Sequence, residues 1–400
     1  ISVTATADNK AIANVRGGAG GLFAAASLLL SNTEVGAATR AALDASVLSS
    51  KSVTVKAMGV NLADSRTLGV SASFGLGGAG TSTRAAVTAD ADVVAWIGAG
   101  ATVASDGKLT VSADGKNTAT AQSNTGAGGG AAGVAVGVLR ATVAGSVIAQ
   151  LDGGVARAAL VTVEADGTNT ATATALAIAV AGLASGAGAN AYAEITSDAL
   201  VEARIGSGSR LTLLTDDPNG QLDVLATGRN TATATANGIS GSITGISITA
   251  MLPTAIVAGS VTAAIEGSVL DASGVRVAAI GTNDATATAL AVGVALFGAG
   301  AAGAGAIASI SDSATVLATM ASDSTIDIAG ALLVTASGTN TAKVNSDVGS
   351  GGLVGVQGSN LAASVAGATS ATINGTVVGA TSVQLDAVGQ NTATADALGV

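Results

Sequence analysis

The sequence predicts an all-β chain wound as a parallel β-solenoid (β-helix), and three observations carry that expectation. The string Asn-Thr-Ala-Thr-Ala, intact or degenerate, returns along all 400 residues. Around each copy, apolar residues recur at every second position. The composition has 56 Gly and only two Pro, with abundant Ala, Val and Thr, which suits closely spaced strands better than helices. The markers begin at Asn9, Asn61, Asn117, Asn169, Asn230, Asn283, Asn340 and Asn391, the copy at Asn283 slipped by one residue (Asn-Asp-Ala-Thr-Ala-Thr-Ala). A period of about 55 residues, sustained over about seven units, is the signature of a repeat architecture.

Each unit reads in order from its upstream side. Eight, six and four residues before the marker stand two apolar residues and an alanine, as in Val53/Val55/Ala57 and Leu109/Val111/Ala113. Period two over such a run describes a strand with one buried face. Gly lies two residues before the marker in every copy but the first, and Gly-x-Asn predicts a tight turn. After it the Thr-Ala alternation predicts a second strand, Thr170, Thr172 and Thr174 on one face and the alanines on the other. A long Ala/Gly/Val stretch follows, in which Phe23, Phe74 and Phe297 recur at one phase and read as core fillers.

Alanine alone permits a helix, but the glycines and the alternation argue against it. The mean hydropathy of +0.59 comes from Ala and Val spread throughout, with no continuous apolar span. One Trp, one Tyr and three Phe cannot supply the aromatic girdles of a membrane barrel, so no membrane insertion is expected.

Each repeat holds several strand segments. With coils of roughly 18–27 residues, a repeat amounts to two to three rungs of the solenoid, and the array to a thin rod about 65–100 Å long. Antiparallel hairpins within each unit are the alternative. Residues 1–400 read as one continuous array without an internal break, and, since neither end carries a polar capping unit, as an internal slice of a longer chain.

The composition excludes most chemistry. There is no His and no Cys, which removes Ser-His-Asp and Cys-His nucleophiles and ordinary zinc sites. The charge of −10, from 26 acidic and 16 basic residues, argues against nucleic acid. No enzyme, catalytic residue or cofactor is expected. Asp216 and Asp217, in the most acidic turn, are the candidate calcium ligands, with a polar insertion loop as the simpler reading; Asp312, Asp323 and Asp327 form a weaker second group. Trp96 and Tyr192, the remaining candidates for a sugar-binding subsite, fall at different phases. The Thr-x-Thr pairs at Thr118/Thr120, Thr170/Thr172, Thr231/Thr233, Thr286/Thr288 and Thr392/Thr394 suggest a hydroxyl-lined face that meets ice or a glycan. An ice-binding face needs such pairs on nearly every rung. At two to three rungs per repeat they are too sparse, and strand-favouring decoration is the better explanation.

The segment Ala95-Trp-Ile-Gly-Ala-Gly-Ala-Thr-Val-Ala-Ser-Asp-Gly-Lys-Leu-Thr-Val-Ser-Ala-Asp-Gly115, with its shorter copy Ala203-Arg-Ile-Gly-Ser-Gly-Ser-Arg-Leu-Thr-Leu213, resembles the repeats of giant secreted bacterial exoproteins, the filamentous-haemagglutinin-like and autotransporter-like adhesins. The resemblance implies secretion to the cell surface, a parallel β-helical stalk, and roles in adhesion, biofilm or cell coating. It carries over no site residues. The function expected is therefore a structural extracellular stalk, fibre or sheath that self-associates end to end or laterally and meets a glycan or other cell-surface ligand. The alternative is a binding module using the Thr-x-Thr face.

Overall fold

The structure, a computed structural model, describes residues 1–214 and 220–400, with the side chain of residue 156 left out. Of the described residues, 81% are strand and none is helix. Every strand pairing among the described residues is parallel. The chain is a parallel β-solenoid, and the hairpin alternative is excluded.

The coil, however, is far wider than the strand count suggested. Ser2–Gly21 pairs along its whole length with Ser52–Ser73, Asn9 opposite Asn61. The same pairing joins Asn61 to Asn117, Asn169 to Asn230, and so on to Asn340 and Asn391. One repeat is therefore one rung, not two to three. The several strand segments of each repeat exist, but they follow one another around a single coil. Eight rungs at about 4.8 Å span about 34 Å, while a 22-residue long strand reaches about 70 Å across. The object is a slab, broader than it is tall.

The third rung shows the path. The long strand Lys108–Gly129 runs out and turns at Gly130 and Ala131. The return strand Ala132–Val143 folds back over its distal half. A short strand, Val147–Leu151, then turns a corner, and the closing strand Gly154–Ala158 leads to the next rung. The short strands stack in chain order into a seven-stranded sheet of their own.

The two ends of the coil differ in the size of their core side chains. At the broad end, Leu109, Val111, Leu151, Ile205 and Leu211 are buried in one cluster. All the apolar positions eight, six and four residues before the markers lie in or against this core from the second rung to the seventh, as their alternation predicted. The other end is a blade two sheets thick, where alanine meets alanine: Ala119, Ala121 and Ala173 from long strands against Ala135, Ala141 and Ala193 from return strands. Some of the hydroxyls that enter this interior pair across the two layers, Ser65 with Ser31 at 2.7 Å and Thr67 with Thr83 at 2.5 Å. Alanine holds the sheets close over most of the blade, so most of its Leu, Ile and Phe side chains point outward; Leu139, Met251, Ile195 and Ile310 are the large residues buried within this cluster.

The Gly-x-Asn motif is a waist between these two cores, not a turn. Gly59 and Asn61 lie inside one uninterrupted strand, Ser52–Ser73. A Cβ on Gly59 would fall 2.4 Å from Val93 Cγ2 of the facing short strand, and one on Gly167 would fall 2.3 Å from Val201 Cγ2. The glycine answers that approach; among the described residues positive φ is confined to Gly245, Gly352, Gly379 and Asp271.

The asparagine beside it forms a ladder. Asn9 Nδ2 donates to Asn61 Oδ1, and the relay continues through all eight markers to Asn391 at 2.8–3.0 Å. The second amide hydrogen of Asn61, Asn117 and Asn230 meets a carbonyl of the corner loop, that of Ala91, Gly145 and Gly259. Those carbonyls fix which way these three amides face. Asn61 to Asn340 are buried, and stacking lets each satisfy the next.

Candidate functional site: the two outer faces of the blade

One repeat per rung changes what the surface offers, because outward residues at equal phase now stack about 4.8 Å apart. On the long-strand face, Thr118, Thr170 and Thr231 form one column, and Thr120, Thr172, Thr233 and Thr286 the next. A third column holds Thr174, Thr235 and Thr288. Columns are two residues apart along the strand, about 6.7 Å. Strand alternation turns these threonines out because the intervening alanines fill the blade. The array covers four consecutive rungs and lapses where Leu62 and Asp64, or Lys343, take its place. The sequence argument that the pairs are too sparse rested on extra rungs that do not exist. Among the described residues, Thr286 alone of these threonines has a side-chain hydrogen-bond partner, Asp284 at 3.1 Å.

The return-strand face is apolar. From the tip inward its outward columns hold Gly, Ala, Val, Leu and Ile and no charged residue, with Ser82, Asn190 and Asn360 as its polar members. Bulk alternates by rung. Leu28 and Leu30 stand proud on the first rung, Val134, Val136 and Val138 on the third, Ile248 and Leu252 on the fifth. Between them the chain has Gly78 and Gly80, then Gly186 and Gly188, then Gly303 and Gly305. Shallow hollows lie in the first and last of these grooves, an apolar one at Gly78 and one at Gly305 whose lining includes Asn190, Thr254 and Asn360. The face is thus corrugated, with ridges two rungs, about 9.6 Å, apart.

Phe23, Phe74 and Phe297 share one level, as predicted, but they are not core fillers. They project from the blade tip with 82%, 81% and 66% of their surface exposed. A polar border closes the apolar face on its other side, where Arg140 stacks over Tyr192 at 5.1 Å and bonds Glu194 at 3.1 Å. Burial, and then Glu194, pushes the Tyr192 hydroxyl upward against the opposing pull of Arg140.

The remaining candidates do not converge. Trp96 projects from a short strand, its Nε1 donating to Asp44 at 3.3 Å, while Tyr192 lies on a return strand. Asp312 and Asp323 sit in the turns before and after the short strand Val316–Met320, and Asp327 lies in Thr325–Gly351. Among the described residues no three acidic groups gather at a metal-sized spacing. Asp216 and Asp217 fall outside the described residues. Carboxylates do stack in places. Asp114 lies opposite Asp166 on the next rung, and burial first, then Asp114 and Glu164, raises the Asp166 carboxyl. Burial also raises Glu202, with Arg204 opposing and Glu266 and Asp152 adding to the rise.

No protein-family model, no curated protein and no solved structure matches this chain.

Proposed function

We propose that the chain is a structural β-solenoid of an extracellular, cell-surface assembly, a stalk, fibre or sheath that acts through its outer faces and performs no catalysis. The observation that carries this reading is the unbroken register: eight markers, one per rung, joined in a single amide ladder, so that each face is a lattice repeated along the axis. Such an object binds or packs by repetition, in the manner of other solenoids, whose extended surfaces are built from equivalent positions. The resemblance of Ala95–Gly115 to bacterial exoprotein repeats supports the extracellular placement. Antibodies against the 400-residue chain should label intact source cells on their outer surface. Labelling only after permeabilisation overturns the reading.

The threonine array favours a second reading, a binding module for ice or a hydroxyl-rich glycan. Its four contiguous rungs present hydroxyls at regular spacing, of which that of Thr286 bonds Asp284. If the array meets ice, the purified chain shapes ice crystals and Thr172→Tyr/Thr233→Tyr abolishes the effect. Crystals that grow unaltered in the wild-type chain remove the ice reading.

A further inference from the structure

We propose that the corrugated apolar face is the contact surface for a second copy of this chain, packed antiparallel so that the ridges of one blade enter the grooves of the other. This deepens the structural reading above by naming the partner and the face.

The argument starts from area. Four outward columns across the first six rungs cover roughly 27 Å by 29 Å, about 800 Å² per copy, which is what each partner of a standard stable interface contributes. A contiguous uncharged face of this size exceeds what soluble monomers ordinarily leave exposed.

Shape then chooses the occupant. Ridges stand on odd rungs and grooves on even rungs. A two-fold axis lying in the face, parallel to the strands and midway between the third and fourth rungs, exchanges first with sixth, second with fifth and third with fourth. In the two middle columns the ridges then meet grooves: Val136 of one copy faces Gly188 of the other, and Ile248 faces Gly78. In the column nearest the border Leu30 faces Gly305, while Val138 faces Asn190 and Leu252 faces Ser82. Any other partner would have to reproduce this 9.6 Å corrugation; a second copy has it already. The same axis brings Arg140 of each copy opposite Tyr192 of the other at the border, so the cation–π contact now made within one chain is offered across the interface as well. At the tip Leu76 and Ile246 meet as two bulky side chains, at the edge of the contact where the blade ends.

The grooves make a clean test, because they can be filled without disturbing the monomer. A Cβ on Gly186 or Gly188 meets nothing nearer than 3.9 Å or 3.8 Å, and neither residue has positive φ. Valine at both positions suits a strand and leaves the fold intact, as an unchanged circular dichroism spectrum would verify. In sedimentation velocity at micromolar concentration the full chain should run as a dimer. Gly186→Val/Gly188→Val should weaken pairing by at least tenfold. Adding Val134→Gly/Val136→Gly, which exchanges the ridge of the third rung with the groove of the fourth, should restore it. A wild-type monomer, or valine variants that pair as tightly as wild type, overturns the proposal. So does a wild-type chain that floats with phosphatidylcholine vesicles instead of dimerising, which would make the face membrane-seeking. Surface labelling of cells is unaffected by any of these outcomes, so the structural reading and the pairing fail separately.

Discussion

Replacing Asn169 by alanine tests whether the amide ladder holds the rungs together. Asn169 accepts from Asn117 at 3.0 Å and donates to Asn230 at 2.9 Å, and all three side chains are buried. Removal leaves an N–H of Asn117 and the Oδ1 of Asn230 facing each other across an empty site. Each buried orphan costs about 1–3 kcal/mol, so Asn169→Ala should cost about 2–6 kcal/mol. A water that enters the gap and bridges the two amides would bring the loss to the lower end. A solenoid need not unfold in one step, so the assay is denaturant-dependent native-state hydrogen exchange, read on peptides from Leu160–Ala181 and Gln221–Val257. Two substitutions serve as controls. Thr172→Ala, on the outer face, should change opening free energy by no more than about 0.5 kcal/mol. Asn391→Ala loses a single bond at an exposed position and should cost about 1 kcal/mol. If Asn169→Ala costs no more than Thr172→Ala, the ladder is decoration and the reasoning is wrong.

Further outcomes follow from the waist, the stacked carboxylates, the blade tip and the acidic turn. Gly167→Ala forces a methyl into Val201 and should cost about 1–3 kcal/mol, much of it recovered in the Gly167→Ala/Val201→Ala pair; equal melting of wild type and Gly167→Ala contradicts the close approach. Asp166 and Glu202 have folded pKa values raised above their unfolded ones. Their stabilising contribution is present in full below the unfolded carboxyl values and is lost as pH rises through the folded ones. The melting temperature should therefore fall from mildly acidic to neutral pH, and Asp166→Asn/Glu202→Gln should flatten that slope by less than about 1 kcal/mol per site, since solvent reaches both groups. A wild-type chain that melts higher at neutral pH contradicts this. Phe74→Ser should leave stability within about 0.5 kcal/mol while reducing binding of a hydrophobic dye; strong destabilisation would return Phe74 to the core. If Asp216 and Asp217 hold calcium, chelator lowers the melting temperature, and an unchanged value removes them as ligands.

Local pattern made the strands legible. The alternation at Val53, Val55 and Ala57 names the buried face correctly, and so does Thr170-Ala171-Thr172. What local pattern could not show was which segments pair, because Asn9 and Asn61 meet only when the whole 52-residue coil has been traversed. One sign was present: a repeat of two or three coils would carry a weaker likeness at 18–27 residues, and this chain repeats only at its full period. Gly-x-Asn misled because turns and tight sheet contacts both select glycine, for conformational freedom in one case and absence of a Cβ in the other. The phenylalanines misled for a different reason. Where alanine sets the sheet separation, few large apolar residues find room inside, so at the blade tip the phenylalanines are exposed while alanines are buried. The corrugated face depends on register as well, since Val136 and Gly188 acquire opposite meanings only when their rungs are adjacent to each other.

The most direct test of one repeat per rung is a distance along the axis. The chain has no cysteine, so Thr120→Cys/Thr394→Cys gives two unique sites for spin labels. Both positions lie in one outward column, five rungs apart. Double electron–electron resonance should report about 24 Å between them, five rungs at about 4.8 Å. A distance of about 48 Å or more would mean at least two rungs per repeat and would contradict the account.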